Sequence, residues 1–186
     1  FYIFRLLKRK KIKSVCSFHG EVVSAKPFYK IYNNFLLKSH LKACDGIIAS
    51  SPAIVESTTL LDYFKSKVSI IPYGIDTNKF TPKKDWVRKN KSKSLKYLFV
   101  GRLVRYKGLF ILLNAMMKSN GTLVIVGDGP LRNDLEKSVS KNKLQSKVKF
   151  SGKITDEKLL DYYQDSDVIV LPSIDRGESY GYALVE

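Results

Sequence analysis

Two carboxylates near the end of the sequence, Glu178 and Glu186, have a spacing that suits an elongated ligand. They lie eight positions apart with Gly181 between them, directly after an apolar stretch at 168–172 that is typical of a strand. A strand followed by a glycine-bearing loop and a helix is where α/β proteins bind phosphates. At about 3.6 residues per turn, Glu186 falls about one and a half turns inside that helix, whereas Glu178 precedes it. We therefore expect the two acids to hold different parts of one ligand.

Two cations further forward, Arg102 and Lys107, supply the opposite charge. They follow an apolar stretch at 96–100 and a turn at Gly101, and a helix is expected to start near Lys107. This order places them at the carboxyl end of a strand, where open α/β sheets bind ligands. A planar guanidinium and a flexible ammonium suit a diphosphate. Because the helix dipole disfavours cations at a helix start, a bound anion explains them best. Arg105, between them, is expected to be solvated.

Three further groups carry weaker chemical signals. His19 follows a strand pattern and precedes a glycine, so it is expected at a strand end facing a cleft, although a lone histidine is more often structural. His40 lies in a helical pattern and is interpreted as a surface or packing residue. Asp165 and Asp167 imitate an Asp-x-Asp metal motif, but they precede their strand instead of following it. They are interpreted as turn and capping residues, and no metal site is expected.

Strand and helix patterns alternate along the chain. Strands are expected near 13–18, 46–49, 67–71, 96–100, 122–126, 147–150 and 167–171, and helices near 28–43, 51–64, 107–117, 130–143 and 156–164. This alternation predicts parallel sheets covered by helices on both faces. The segment Gly-Asp-Gly-Pro at 127–130 lacks the third glycine of a dinucleotide fingerprint, so a tight turn before a helix is the default interpretation.

The predicted organisation is two Rossmann-like βαβ domains joined by a linker. Residues 1–80 form the C-terminal part of a first domain, and residues 95–186 form a second domain that is truncated at its C-terminal end. The segment 81–94 is polar and basic without an apolar period, which indicates an interdomain linker. Both domains are expected to be incomplete.

The charge of the chain is concentrated in its first half. The formal net charge is +16, with 19 Lys/Arg against 6 Asp/Glu in residues 1–95 and 14 against 11 in residues 96–186. Such a basic surface favours an anionic partner, either a membrane face or nucleic acid. We favour the membrane, because the basic residues form no recognisable nucleic-acid module. Cys16 and Cys44 have no metal-ligand spacing and are expected to be buried free thiols in a reducing compartment.

The chain resembles the retaining GT-B-fold glycosyltransferases of family 4, also called glycosyl transferases group 1. The motifs that carry the resemblance follow the family's order, and they lie at 43–51, 70–82, 101–108, 126–130, 148–152, 167–173 and 178–186. One mild departure is Tyr180, where the family most often has phenylalanine. The chain opens on Phe1 and stops at Glu186, each inside an expected helix, and it lacks the family's opening loop and closing helices. It is therefore interpreted as an internal fragment.

The resemblance implies a metal-independent hexosyltransferase. Such an enzyme moves a sugar from a UDP- or GDP-linked donor to an acceptor hydroxyl with retention of configuration, and it needs no cofactor. The acceptor would be a glycan or a lipid-linked glycan of cell-surface polysaccharide or glycolipid synthesis. The expected location is cytoplasmic, with a peripheral position at the inner face of the membrane, and no nucleic acid is expected as a partner. Alternatives are a nucleotide-sugar epimerase on the same fold and a basic nucleic-acid-binding protein.

The resemblance also assigns residue roles. His19 and Glu178 are the expected catalytic residues, and Glu186 is expected to bind the nucleotide ribose. The donor is expected to be bound by Gly101, Arg102, Lys107, Ile154, Ser179, Tyr180, Gly181, Tyr182 and Glu186. No residue is assigned to a metal.

Overall fold

The computed structural model describes residues 12–20, 31–82, 94–175, 178 and 180–186. Its contacts divide the chain into two compact units, Phe1–Gly74 and Ile75–Glu186. The division lies before the domain limit expected at residue 80. Most of the expected linker, residues 83–93, lies outside the described residues, so the linker stays a prediction.

The first unit is built on a parallel sheet of three strands in the order β1–β2–β3. Its elements are β1 (Val15–Phe18), α1 (Lys38–Ala43), β2 (Gly46–Ala49), α2 (Pro52–Ser57), α3 (Thr59–Asp62) and β3 (Val68–Ile70). A π-helical segment, Tyr32–Leu37, leads directly into α1. The expected helix at 28–43 is confirmed from residue 31 onward, and its start lies outside the described residues. The core of the unit contains Phe18, Leu41, Ile47 and Leu61.

The prediction of a single helix at 51–64 is wrong, because the helix is interrupted at Thr58. Its start is as predicted: Ser51 caps α2 by accepting a hydrogen bond from the Ile54 amide at 3.3 Å, and Pro52 follows. Thr58 then adopts an extended conformation with φ −126° and ψ 121° and is buried. A β-branched side chain has restricted χ1 freedom in a helix, and here Thr58 separates α2 from α3.

The second unit contains a parallel sheet of four strands in the order β6–β5–β4–β7. Its strands are β4 (Lys96–Val100), β5 (Thr122–Val126), β6 (Val148–Gly152) and β7 (Val168–Ile169). Its helices are α4 (Leu109–Lys118), α5 (Arg132–Lys141), α6 (Asp156–Asp165) and α7 (Tyr182–Val185). Leu98 and Phe99 of β4 are both fully buried, although they point to opposite faces of the sheet. Helices therefore cover both faces, as the alternation predicted.

Strand β7 is shorter than the stretch 167–171 expected from the sequence. It pairs with β4 only from Tyr97 opposite Val168 to Leu98 opposite Ile169. One further bond joins the Val170 amide to the Leu98 carbonyl at 2.8 Å. Pro172 has no N–H group, so the ladder cannot continue through it. The chain leaves the sheet at this point, and the segment after β7 is free to carry Ser173 and Glu178 elsewhere.

The two cysteines are free thiols, as expected, but only Cys44 is fully buried. Burial, reinforced by the neighbouring Cys44, raises the pKa of Cys16 above its ordinary value, and burial also raises the pKa of Cys44.

Among the residues that the structure describes, no helix has the length and apolar content needed to cross a bilayer.

Candidate functional site at the carboxyl ends of β4 and β7

The loop after β4 is joined by its backbone to the loop after β5. The Gly101 amide donates to the Val126 carbonyl, and the Leu103 amide donates to the Asp128 carbonyl, both at 3.0 Å. Gly127 has φ +122°, and a Cβ atom there would lie 2.0 Å from the carbonyl oxygen of Gly101. The glycine at 127 is therefore required by the close approach of two backbones. The Gly-Asp-Gly-Pro turn acts as a support for the Gly101 loop.

The helix expected from Lys107 begins two residues later, at Leu109. Arg105–Lys107 form a 3₁₀ turn, and Gly108 lies between it and α4 in a left-handed conformation with φ +66°. A Cβ atom on Gly108 would lie 2.0 Å from the carbonyl oxygen of Pro172, so the loop after β7 packs directly on this glycine. The Ile174 amide also donates to the Tyr106 carbonyl at 2.8 Å. These contacts fix the loop that leads to Glu178.

Lys107 and Glu178 form a largely buried ion pair. The Lys107 ammonium contacts Oε2 of Glu178, and their side chains are only 12% and 19% exposed. The same carboxylate oxygen accepts a hydrogen bond from Ser173 Oγ at 2.8 Å. This pairing corrects the argument that Lys107 needs an external anion because it begins a helix. Lys107 precedes the helix, and its charge is balanced by Glu178.

The remaining donor-binding candidates after β4 and β6 are less constrained. Arg102 is exposed and forms no salt bridge with any residue in the described part of the chain. Ile154 is half-buried in the loop between β6 and α6. No hydrogen bond or salt bridge among the described residues joins either of them to the Lys107–Glu178 pair. Their predicted roles stay predictions.

Glu186 has a different environment from Glu178. It follows the last residue of α7, a single turn whose Tyr182 carbonyl accepts from the Glu186 amide at 3.0 Å. Its side-chain Oε2 accepts a hydrogen bond from the hydroxyl of Tyr163 in α6. Burial, and secondarily this bond to Glu186, raises the pKa of Tyr163 far above its ordinary value. The phenol therefore stays protonated as the donor. Phe80 packs edge-on against the Tyr163 ring at 5.9 Å.

The loop between the two acids is partly described. Gly181 is buried, has φ +74° and precedes α7, and the rings of Tyr180 and Tyr182 lie 5.2 Å apart. Ser179 lies outside the described residues. The two acids have separate neighbours, because Glu178 contacts Lys107 and Ser173, whereas Glu186 contacts Tyr163. That they hold different parts of one ligand stays a prediction.

His19 lies in the first unit, after the end of β1, and is exposed. Its Nε2 shares a hydrogen bond with Ser17 Oγ at 3.2 Å, and its Nδ1 shares one with the Tyr73 hydroxyl. The Tyr73 ring stacks on the imidazole with centroids 5.6 Å apart. Both ring nitrogens therefore have a hydroxyl neighbour, and the tautomer depends on which hydroxyl donates.

Asp167 lies at the opposite end of the second unit's sheet from Glu178. Its backbone amide donates to the Lys96 carbonyl, and its carboxylate accepts from the Lys96 amide, both at 2.9 Å. Asp165 is the last residue of α6. Asp167 thus joins the amino ends of β4 and β7, which is the structural role expected from its position before the strand.

Three neighbours of the candidate residues were not predicted from the sequence: Tyr73 in the first unit, and Tyr163 and Ser173 in the second. Ser173 follows the end of a strand, so its position could have indicated that it belongs to the site. Tyr163 lies in a stretch for which the sequence predicted only a helix, and Tyr73 lies in a loop. Their roles depend on contacts between residues far apart in sequence, which no local pattern indicates.

The parallel sheets, with charged residues at the carboxyl ends of β4 and β7, define a Rossmann-like α/β protein. Residues 80–186 match the family described as glycosyl transferases group 1, and residues 1–79 match glycosyltransferase family 4. The chain therefore belongs to the glycosyl transferases group 1 family. The fold class expected from the sequence, two Rossmann-like units of GT-B type, is confirmed.

Relatives with known names and structures agree with this membership. The chain is 33% identical to the O-antigen chain mannosyltransferase C of Escherichia coli, over 99% of this chain and 50% of the relative. It is also 33% identical to the D-rhamnosyltransferase WbpZ of Pseudomonas aeruginosa, over 93% of this chain and 46% of the relative. The sucrose-phosphate synthase of Thermosynechococcus elongatus is similar in structure, with a TM-score of 0.76, 25% identity, and coverage of 98% of this chain and 49% of the other. The chain spans about half the length of the curated relatives it matches.

Proposed function

We propose that the protein transfers a sugar from a nucleotide-diphospho-sugar to an acceptor hydroxyl, with retention at the anomeric carbon. Family membership supports sugar transfer, and both named bacterial relatives are sugar transferases by name. The E. coli relative is named for the O-antigen chain, which supports a role in cell-surface polysaccharide or glycolipid synthesis. These names do not favour an epimerase or a nucleic-acid-binding protein.

The observation that carries the proposal is the Lys107–Glu178–Ser173 cluster at the carboxyl ends of two neighbouring strands. Open α/β sheets bind ligands at this edge. Glu178 is held by an ammonium and a hydroxyl, so its remaining lone pairs are directed and can accept hydrogen bonds from sugar hydroxyls. We infer that Glu186, held by Tyr163, accepts hydrogen bonds from the nucleotide ribose. A UDP- or GDP-linked sugar is the proposed donor.

The proposed chemistry is electrostatic stabilisation of the leaving diphosphate. Breaking the glycosidic bond builds positive charge on the sugar and negative charge on the diphosphate. Arg102 and Lys107, with the backbone amides near Gly181, would stabilise that negative charge without a divalent ion. Glu178 and His19 would position the sugar and shield its positive charge. No cofactor takes part, and transfer is expected at an unchanged rate when Mg²⁺ and Mn²⁺ are omitted. Strict dependence on either ion would contradict this mechanism.

The test replaces Lys107 by alanine in the full-length protein. Transfer is expected to fall about 10²–10³-fold, the usual cost of losing one contact to a developing anion. The matched control is Lys118→Ala, which removes an exposed lysine at the end of α4. Rates are measured from donor and acceptor, with folding checked by circular dichroism. Equal rates for the two folded variants would refute the role of Lys107 at the diphosphate.

We also propose that the basic first half contacts an anionic membrane surface. The support is the net charge of +13 in residues 1–95, against +3 in residues 96–186. Each Lys or Arg near such a surface contributes about 1 kcal/mol before screening. Binding to vesicles with anionic lipid is expected to exceed binding to neutral vesicles and to fall with salt. The double variant K89Q/K91Q should weaken binding to anionic vesicles more than the control double variant K137Q/K141Q, which removes two lysines of the second half. Equal binding to both vesicle types would argue against this surface.

A further inference from the structure

Cys16, His40 and Cys44 lie together in the first unit, and the proposed transfer reaction uses none of them. One ligand atom from each, two Sγ atoms and an imidazole nitrogen, all lie within 4.8 Å of one another. Cys16 belongs to β1, whereas His40 and Cys44 belong to α1 and its end. The sequence did not indicate the cluster, because its members are brought together only when β1 pairs with β2.

Helix geometry places His40 and Cys44 on one face. The Cys44 amide donates to the His40 carbonyl at 3.2 Å, so the last turn of α1 is intact up to Cys44. Side chains four residues apart on a helix are neighbours. The pair therefore presents one imidazole and one thiol side by side toward β1.

Several contacts fix Cys44 beside β1. The Asp45 amide donates to the Ser14 carbonyl at 2.8 Å, and the Ser14 amide donates to the Asp45 carboxylate at 2.9 Å. From the 3₁₀ turn that precedes β3, the Lys67 ammonium donates to the Cys44 carbonyl at 3.0 Å. These bonds hold the backbone at both ends of the cluster without using the three side chains. Such an arrangement is a preorganised scaffold for ligands.

We propose that Cys16, His40 and Cys44 bind a single thiophilic metal ion of the Zn²⁺ type, with water as the fourth ligand. Two thiolates and an imidazole are soft and borderline ligands, which suit Zn²⁺ and not Mg²⁺ or Ca²⁺. Cys44 is buried, whereas Cys16 and His40 are only half-buried, so an ion and a water molecule have a route from solvent. Binding releases both thiol protons to solvent as the two Zn–S bonds form.

The distances require little adjustment. With Zn–S bonds of about 2.3 Å and a Zn–N bond of about 2.0 Å, tetrahedral ligand atoms lie about 3.5–3.8 Å apart, so no separation among the three atoms must shorten by more than about 1.3 Å. A bound ion would join the end of α1 to β1. We therefore expect the ion to stabilise the first unit as a structural metal that takes no part in sugar transfer.

The experiment titrates the reduced protein with Co²⁺, a spectroscopic substitute for Zn²⁺. One equivalent is expected to produce thiolate-to-cobalt charge-transfer absorption, which one equivalent of Zn²⁺ then abolishes. Cys16→Ser and His40→Gln should each weaken Co²⁺ binding by more than about 100-fold, since loss of an outer-shell partner alone costs about 10–100-fold. Glu56→Gln, which removes an exposed carboxylate of the same unit, is the matched control and should bind normally.

Two results would overturn the proposal. The first is a reduced, folded protein that shows no charge-transfer band at any Co²⁺ concentration. The second is a band that survives unchanged in Cys16→Ser. Because Cys16 and His40 are half-buried, their variants keep the test valid even if replacement of the buried Cys44 prevents folding.

Discussion

The two sheet edges that carry the proposed catalytic residues are built in different ways. In the second unit, Glu178 lies in a largely buried network with Lys107 and Ser173, and the loop that carries it packs on Gly108. In the first unit, His19 is exposed and contacts only the hydroxyls of Ser17 and Tyr73 among the described hydrogen-bond partners. The charge of Glu178 is balanced before any ligand binds, whereas the imidazole keeps both tautomers accessible. In the second unit an ion pair fixes the Glu178 carboxylate, whereas in the first unit two hydroxyl groups, each able to donate or accept, position the His19 imidazole.

The largest expected difference between these edges is in activity. Glu178→Gln keeps the shape of the side chain but removes its charge, and transfer is expected to fall about 10²–10³-fold. Tyr73→Phe removes one neutral hydrogen bond to His19, worth about 0.5–1.5 kcal/mol, and the fall is expected to be about tenfold or less. Rates of both variants in the full-length protein are measured with one donor. A larger loss for Tyr73→Phe would reverse the comparison.

The next effect concerns the loop contact at Gly108. Gly108→Ala places a Cβ atom against the Pro172 carbonyl, whereas Gly152 has a similar φ of +70° with no atom within 4 Å of the same position. The alanine at 152 is expected to cost about 1–2 kcal/mol from left-handed strain alone. Gly108→Ala adds overpacking of about 1–3 kcal/mol. Urea unfolding followed by circular dichroism measures both. Equal losses in the free energy of unfolding would show that the loop at Pro172 can move away from a Cβ atom at 108 without destabilising the fold.

The smallest expected effect is on stability, and it compares an exposed ion pair with the largely buried Lys107–Glu178 pair. The Lys79–Asp156 pair lies at 2.7 Å, but its side chains are 36% and 73% exposed. The hydrogen bond that the Lys79 ammonium donates to the Asp156 carboxylate raises the pKa of Lys79 above its ordinary value of 10.5. The pair therefore stabilises the fold at neutral pH, and this contribution is lost as pH rises through the raised pKa.

Lys79→Gln should accordingly lower the melting temperature slightly at pH 7, and the difference should vanish above that pKa. Glu178→Gln should lower the melting temperature more at pH 7, because it leaves the Lys107 charge buried without its counter-ion. A larger effect for Lys79→Gln would show that exposure does not distinguish the two pairs.

Local sequence patterns predicted the parallel strands well, because buried strands such as β4 are short apolar runs bounded by turn residues. They failed where a distant residue decides the local structure. The start of α4 was placed at Lys107 because the pattern does not reveal Pro172, whose carbonyl oxygen leaves no room for a Cβ atom at Gly108. The Lys107–Glu178 pair was missed for the same reason, although both residues were named. Thr58 shows a different failure, since the apolar period continues through a residue that is extended.

The joined loops after β4 and β5 have a consequence for protein engineering. The two backbones approach so closely at Gly101 and Gly127 that neither loop can change its path alone, and the Leu131 amide adds a bond to the Leu103 carbonyl at 3.1 Å. A chimaera that takes residues 101–103 from a relative must also take residues 127–131. The two segments must be exchanged together, although the 23 residues 104–126 separate them in the chain.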